Sequence, residues 1–275
     1  MISRRTLLGA GMAMAVAAKK PSGLRIGATD WNLRLGGKPE ALALAKSLGF
    51  EGVELSLLRQ AGGDKLVLED AGLLAGYLAE AARQEMAVAG TCLHLLNSTC
   101  VNQVQLAQNW LDAGIGITAR LKARVMLVPF FGKCKLMDQA QIDALVGVLK
   151  EHAPSAEKAG MRLGLENTLS AEDNARILER VGSKAVRVYY DVGNSTSAGF
   201  DPVKELRWLG GERICQIHLK DKGYMGQGAI NFPEVMKAIA DIGFRGFATF
   251  ETGSPSGSVP DDMRKNLAYI RGLMG

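Results

Sequence analysis

The chain has 275 residues, 47% of them hydrophobic and 22% charged, with 33 Gly, 8 Pro and 4 Cys. Ample apolar side chain beside a net charge of only +5 excludes a disordered chain, and four cysteines in this length exclude a disulfide scaffold. The 33 basic residues outnumber the 28 acidic ones without forming a run, so no nucleic-acid partner is expected.

The chain opens as an address. Ser3-Arg4-Arg5-Thr6-Leu7-Leu8 precedes a small apolar run to Ala18, and Ala-Val-Ala at 15–17 supplies the small residues of a cleavage site. The run from Leu7 to Ala18 is 12 residues, too short to cross a hydrocarbon core of roughly 30 Å. Residues 1–18 therefore read as a removable signal, either of twin-arginine type or an ordinary secretory signal that contains Arg-Arg. Residues 19–275 are the expected mature domain, periplasmic and without stable membrane insertion once the signal is removed. Losing 1–18 removes two arginines and no acid, which lowers the charge from +5 to +3.

The body alternates strand and helix. Strand-like runs are Leu24–Asp30, Gly52–Leu55, Met86–Leu93, Arg124–Pro129, Met161–Glu166, Ala185–Asp191, Arg213–Leu219 and Gly246–Glu251. Helical patterns fall at 39–48 and near 70–85, 100–123, 138–159, 171–181, 201–209, 232–242 and 261–273. Pro39 begins the first helix, and Gly49, Gly160, Gly182 and Gly243 follow helices where a left-handed stop is needed. Strands apolar on both faces and separated by helices predict a parallel sheet. Eight such units in about 250 residues predict a single α/β domain, a (β/α)8 TIM barrel. An open doubly wound sheet would show a Gly-rich phosphate turn after its first strand, where Thr29-Asp30-Trp31-Asn32 stands instead. Cys92, Cys134 and Cys215 lie in or just after strand-like runs, and Cys100 opens a helical stretch. Inert buried thiols are expected, with a Cys92–Cys100 disulfide as the alternative.

Barrel chemistry sits where strands end. The last four strands end in Glu166, Asp191, His218 and Glu251, separated by 25, 27 and 33 residues, about one βα unit each. Three carboxylates gathered in a partly dry cleft need a cation or a proton between them. With one imidazole they suit a single divalent ion, Mn²⁺, Mg²⁺, Co²⁺ or Zn²⁺. Taken singly, each acid also reads as a solvated loop carboxylate or a helix cap.

The segments Gly-Leu-Glu-Asn, Tyr-Tyr-Asp-Val-Gly-Asn, Ile-His-Leu-Lys-Asp, Gly-Gln-Gly-Ala-Ile-Asn-Phe and the final Phe-Glu resemble the xylose isomerase-like TIM barrels, the sugar phosphate isomerase/epimerase superfamily. The resemblance covers nearly the whole mature chain. It implies that Glu166, Asp191, His218 and Glu251 hold one divalent metal. It implies too that Glu166 and Glu251 flank the substrate as an acid/base pair, one removing a proton beside a carbonyl and the other returning it. An enediolate then links substrate to product. With only His94, His152 and His218, a trinuclear zinc site of the endonuclease IV kind is not expected, and His152 reads as a surface position in its helix. Family members often carry His where Asn194 stands, a departure that bears on sugar-hydroxyl recognition.

Around this centre, Lys220 reads as a partner of a developing oxyanion or of Asp221. His94 reads as a substrate-hydroxyl donor or a rim residue. Trp31, Phe130 and Phe131 suggest either an apolar wall against a sugar ring or simple packing. Glu54, at the end of the second strand, is expected to reach the substrate pocket or else only a neighbouring cation, and Asp221 is expected among the substrate-binding residues. The Gly-rich segment 223–230 suggests a lid or an ordinary loop. The expected function is a metal-dependent isomerase or epimerase of a sugar or oxidised sugar. The alternatives are a lyase or dehydratase using β-elimination on a keto-sugar or keto-glycoside, and a non-catalytic sugar-binding barrel. The expected partner is a small-molecule sugar, and the resemblance adds a homo-oligomer paired through barrel faces.

Overall fold

The computed structural model describes residues 23–274; the signal assigned to 1–18 lies outside them. Eight parallel strands close on themselves in sequence order: β1 (Leu24–Thr29), β2 (Gly52–Ser56), β3 (Ala87–Cys92), β4 (Val125–Pro129), β5 (Arg162–Glu166), β6 (Val186–Asp191), β7 (Ile214–Leu219) and β8 (Gly246–Phe250). The helices are α1 (Glu40–Leu48), α2 (Ala71–Gln84), α3 (Gln105–Arg120), α4 (Gln139–Lys158), α5 (Ala171–Val181), α6 (Val192–Ser197), α7 (Pro202–Arg213), α8 (Phe232–Asp241) and α9 (Val259–Met274). The predicted barrel is therefore the observed one, with boundaries shifted by a few residues. The short α6 is an addition that the sequence reading left out. No helix among the described residues is long and apolar enough to cross a membrane.

Local chemistry explains the elements. Asp70, Asp138, Ser170, Asp201 and Asn231 cap α2, α4, α5, α7 and α8, each side chain accepting a first-turn N–H. Gly49 ends α1 at φ 96°, a left-handed conformation that favours glycine. The strands then sort their side chains by period two. On β4, Met126 and Val128 pack outward under the helices, whereas Val125 and Leu127 fill the barrel interior with Cys92 and Tyr189.

Two expectations need correction. Cys100 and Cys134, expected as inert thiols, form a disulfide with each other, with Cα atoms 5.1 Å apart, and Cys92, the alternative partner, stays a free thiol. Cys92 faces the barrel interior on β3, while the segments after β3 and β4 run side by side above it and bring the other two together. His152 is also not a surface residue: it is 5% exposed beneath α4, and its Nδ1 lies 2.7 Å from Asp112 on α3. The segment 223–230 is tied down: Met225 N donates to Asn266, Tyr224 OH to Asp262, and the N–H groups of Gly226 and Gly228 to Asp221.

Candidate active site

The four strand ends deliver their side chains to one point. Glu166 closes β5, Asp191 closes β6, His218 sits one residue inside β7, and Glu251 follows β8. One ligand atom from each lies within 4.8 Å of the others. His218 Nδ1 is 3.3 Å from Glu166 Oε1 and 3.7 Å from both Asp191 Oδ2 and Glu251 Oε2. Asp191 serves two purposes. Its Oδ1 caps α6 by accepting from Asn194 N at 2.7 Å, which leaves Oδ2 aimed at the cluster.

This donor set fits a divalent cation. Asp191 Oδ2 and Glu251 Oε2 are buried and accept no well-directed hydrogen bond. The ammonium of Lys220 stands beside them, 3.2 Å from Asp191 Oδ2 and 2.5 Å from Glu251 Oε2, in close but poorly directed contact. Three carboxylate oxygens and an imidazole nitrogen of this kind suit a hard or borderline ion. Without one, the charges perturb each other strongly. Burial drives the Glu166 carboxyl up to about 8 against the pull of His218, and burial likewise raises Asp191. Burial also pushes Glu251 upward, but His218 and Lys220 outweigh it and hold its carboxyl below the usual range. Burial disfavours the cations of His218 and Lys220, yet the surrounding carboxylates hold both above their ordinary values.

Beneath His218 lies a polar layer. Glu54 Oε2 faces His218 Nε2 at 3.1 Å and accepts from Tyr189 OH at 2.5 Å and Thr249 Oγ1 at 3.0 Å. Gln216 Nε2 donates to Tyr189 OH at 2.9 Å. Asn194 bridges the upper layer: Nδ2 donates to Glu166 Oε1, and Oδ1 accepts from Lys220, both at 3.1 Å. A Cβ at Gly193 would stand 2.8 Å from Lys220 Cδ, so glycine there gives the lysine its path to the cluster.

A profile of the xylose isomerase-like TIM barrel family matches residues 42–273. The chain belongs to this family. Among similar solved folds, an L-ribulose 3-epimerase superposes with TM-score 0.77 at 19% identity, covering 91% of this chain and 94% of the other. A D-allulose 3-epimerase from Methylomonas sp., in complex with D-allulose, gives 0.75 at 17% identity over 94% and 99%. A 3-keto-D-glucoside 4-epimerase from E. coli gives 0.74 at 14% over 90% and 99%. In sequence, the chain is 29% identical over 127 residues to an uncharacterized protein of Methanocaldococcus jannaschii, a match spanning 40% of this chain and 43% of that relative.

Within this family barrel, a cavity of about 500 Å³ opens at the strand ends above His218. Trp31, His94, Asn194 and Lys220 line it together with Glu166 and Glu251. Trp31 Nε1 donates to Glu251 Oε1 at 3.2 Å, and burial holds the His94 imidazole below its usual value. Three expected cavity residues do not line it. Phe130 is 1% exposed, because it continues the outward face of β4 under the helices; Phe131 takes the wall position. Glu54 is fully buried one layer below, and Asp221 bonds the N–H groups of its own loop instead of Lys220. The lower layer of Tyr189, Gln216 and Thr249 was missed. Each stands two residues before Asp191, His218 or Glu251, so strand periodicity alone carried the signal. Asn97 was missed as well; it lines the cavity and its Oδ1 accepts from Phe131 N at 3.1 Å.

Proposed function

We propose that the chain is a divalent-metal-dependent isomerase or epimerase of a sugar or keto-sugar, with Glu166 and Glu251 as its acid/base pair. The observation that carries this reading is the convergence of three carboxylates and His218, with two buried carboxylate oxygens left without directed hydrogen bonds, on the floor of a small-molecule cavity. The sugar epimerases with similar folds support the substrate class.

A divalent ion held by Glu166, Asp191, His218 and Glu251 would polarise a carbonyl oxygen and offset the negative charge that grows there as the adjacent proton leaves. Glu166 and Glu251 both face the cavity, so one carboxylate takes the proton and the other returns it. Trp31 fixes the Glu251 carboxylate through Oε1, and Asn194 fixes Glu166 through Oε1. Trp31 and Phe131 offer apolar faces beside these acids, while Lys220 and His94 supply polar contacts for substrate oxygens.

A second reading keeps the same proton abstraction but expels a β-substituent, making the protein a lyase or dehydratase. Lys220 favours it, since an ammonium beside Glu251 is placed to protonate a departing oxygen. Product identification by NMR, after incubating manganese-loaded protein with ketohexoses and 3-keto-glycosides, tests both. An epimer or aldose supports the first reading, an unsaturated sugar supports the second, and unchanged substrates throughout contradict both. We also propose export through the twin-arginine-type signal at 1–18. The Cys100–Cys134 disulfide supports an oxidising compartment.

A further inference from the structure

The opposite end of the barrel carries a second and larger cavity, about 1170 Å³, where the strands begin. Arg25 on β1, Arg124 just before β4, Arg162 on β5, Arg187 on β6 and Arg245 just before β8 line it. The basic residues form no run in the sequence, but barrel closure puts the starts of these strands around one opening. Lys122 and Lys184 on the same lining match its two acids, Glu85 and Glu212, which leaves the five guanidinium charges in excess.

Those arginines lack carboxylate partners. Among the described residues, the ion-paired arginines are Arg83, Arg176, Arg180, Arg207 and Arg264, none of which lines this cavity. Arg162 Nη1 donates to Met161 O at 3.2 Å, and Arg187 Nη1 donates to Val186 O at 2.7 Å and Ser183 O at 3.3 Å. Arg25 lies 3.9 Å over the Phe247 ring. A guanidinium carries five N–H donors in a fork that matches phosphate and carboxylate oxygens, so most of the donors here have no protein acceptor. Burial and the neighbouring Arg162 charge lower the Arg187 pKa, and the Glu212 carboxylate on the same lining offsets this only in part, as expected where like charges outnumber the acids around them. Residues 1–22 are an unsuitable occupant, since they contain Arg4, Arg5, Lys19 and Lys20 but no Asp or Glu.

We infer that this cavity binds a small soluble polyanion carrying phosphate or clustered carboxylate groups, at a site separate from the metal cluster. Arg187 stands four residues before Asp191 on β6, roughly 13 Å away at about 3.3 Å per residue. The two sites therefore open on opposite faces.

Calorimetric titration of the full chain with pyrophosphate, and separately with citrate, at fixed ionic strength tests the inference. Saturable binding is expected for at least one, with Kd at or below about 1 mM. Pyrophosphate alone identifies phosphate as the recognised group, citrate alone carboxylate, and both a requirement only for dense negative charge. The double variant Arg162→Gln/Arg187→Gln should weaken binding about tenfold or more, the scale of two lost charge-assisted hydrogen bonds. Arg83→Gln, which removes an exposed guanidinium elsewhere, should leave it unchanged. Should the double variant fail to fold, the Nε–H resonances of ¹⁵N-labelled wild type replace it, and those of Arg162 and Arg187 should shift with the titration. No saturation with either anion, equal weakening by Arg83→Gln, or static arginine resonances would show that these side chains serve only the backbone carbonyls and the ring they already touch, and would overturn the inference.

Discussion

Glu54 Oε2 lies 3.1 Å from His218 Nε2, on the side of the ring away from the carboxylate cluster. That contact orients the imidazole, and a donor Nε2–H leaves the Nδ1 lone pair for a metal. Glu54 is fully buried and does not line the cavity above His218, so it acts through His218 as a positioning residue. Glu54→Gln keeps the volume but loses the charge. It should weaken manganese binding about 10- to 100-fold, read by competition with a fluorescent chelator. Unchanged affinity would remove the positioning role.

Lys220 supplies the cation nearest to the two carboxylate oxygens that lack directed hydrogen bonds. Removing one partner from a buried ion pair typically costs about 3–5 kcal/mol. Lys220 is 31% exposed, so Lys220→Met should cost the metal-free protein less, about 2 kcal/mol, in urea unfolding. With manganese bound the penalty should shrink, because the ion takes over the neutralisation. An equal loss with and without manganese would mean that Lys220 acts mainly by packing.

Asp30, fully buried, has its carboxyl pushed up to about 6 by burial, despite hydrogen bonds from Ser56 and Gly37. Its folded value lies above the unfolded one, so between about pH 4 and 6 the native state holds more protons. The contribution of Asp30 is then full below pH 4 and is lost as pH rises through 6, by up to about 3 kcal/mol. Asp30→Asn should flatten that fall in stability relative to wild type between pH 4 and 7, whatever its absolute cost. Parallel stability–pH curves would contradict the assignment.

The Cys100–Cys134 bridge closes 34 residues of chain, for which loop entropy gives about 4 kcal/mol. Reduction, or the Cys100→Ser/Cys134→Ser pair, should lower unfolding free energy by about 2–4 kcal/mol. Burial raises the thiols of Cys92 and Cys215, the latter to about 12. Cys92 should not react quickly with a thiol reagent in the native protein, Cys215 on the lining of the larger cavity should react more slowly than a free thiol, and the denatured, unreduced chain should show two. Four reactive thiols in that chain would show that the bridge is absent.

The barrel and its cluster of three carboxylates and a histidine are legible because both are periodic. A recurring βα unit sets the strands, and chemistry at strand ends recurs at nearly the same interval, so Glu166, Asp191, His218 and Glu251 stood out as a series. What escaped depends on which chains become neighbours. Cys100 is closer in sequence to Cys92, but strand direction sends Cys92 inward and leaves Cys134 as the partner. Phe130 and Phe131 are adjacent and alike, and only the period-two alternation from Met126 and Val128 puts the first under the helices. The arginines of the strand starts form no run and meet only when the barrel closes. Periodicity would have yielded Tyr189, Gln216 and Thr249, had each strand been read two residues deeper.

The most direct test follows hydrogen at the reacting carbon. Manganese-loaded protein is incubated with its turned-over keto-sugar in deuterated water, and the product is read by NMR and mass. Expected is one deuterium on the carbon whose configuration or bonding has changed, with both turnover and exchange abolished by Glu166→Gln. A product that keeps its original hydrogen at that carbon, or exchange that persists in Glu166→Gln, would contradict proton transfer through this carboxylate pair.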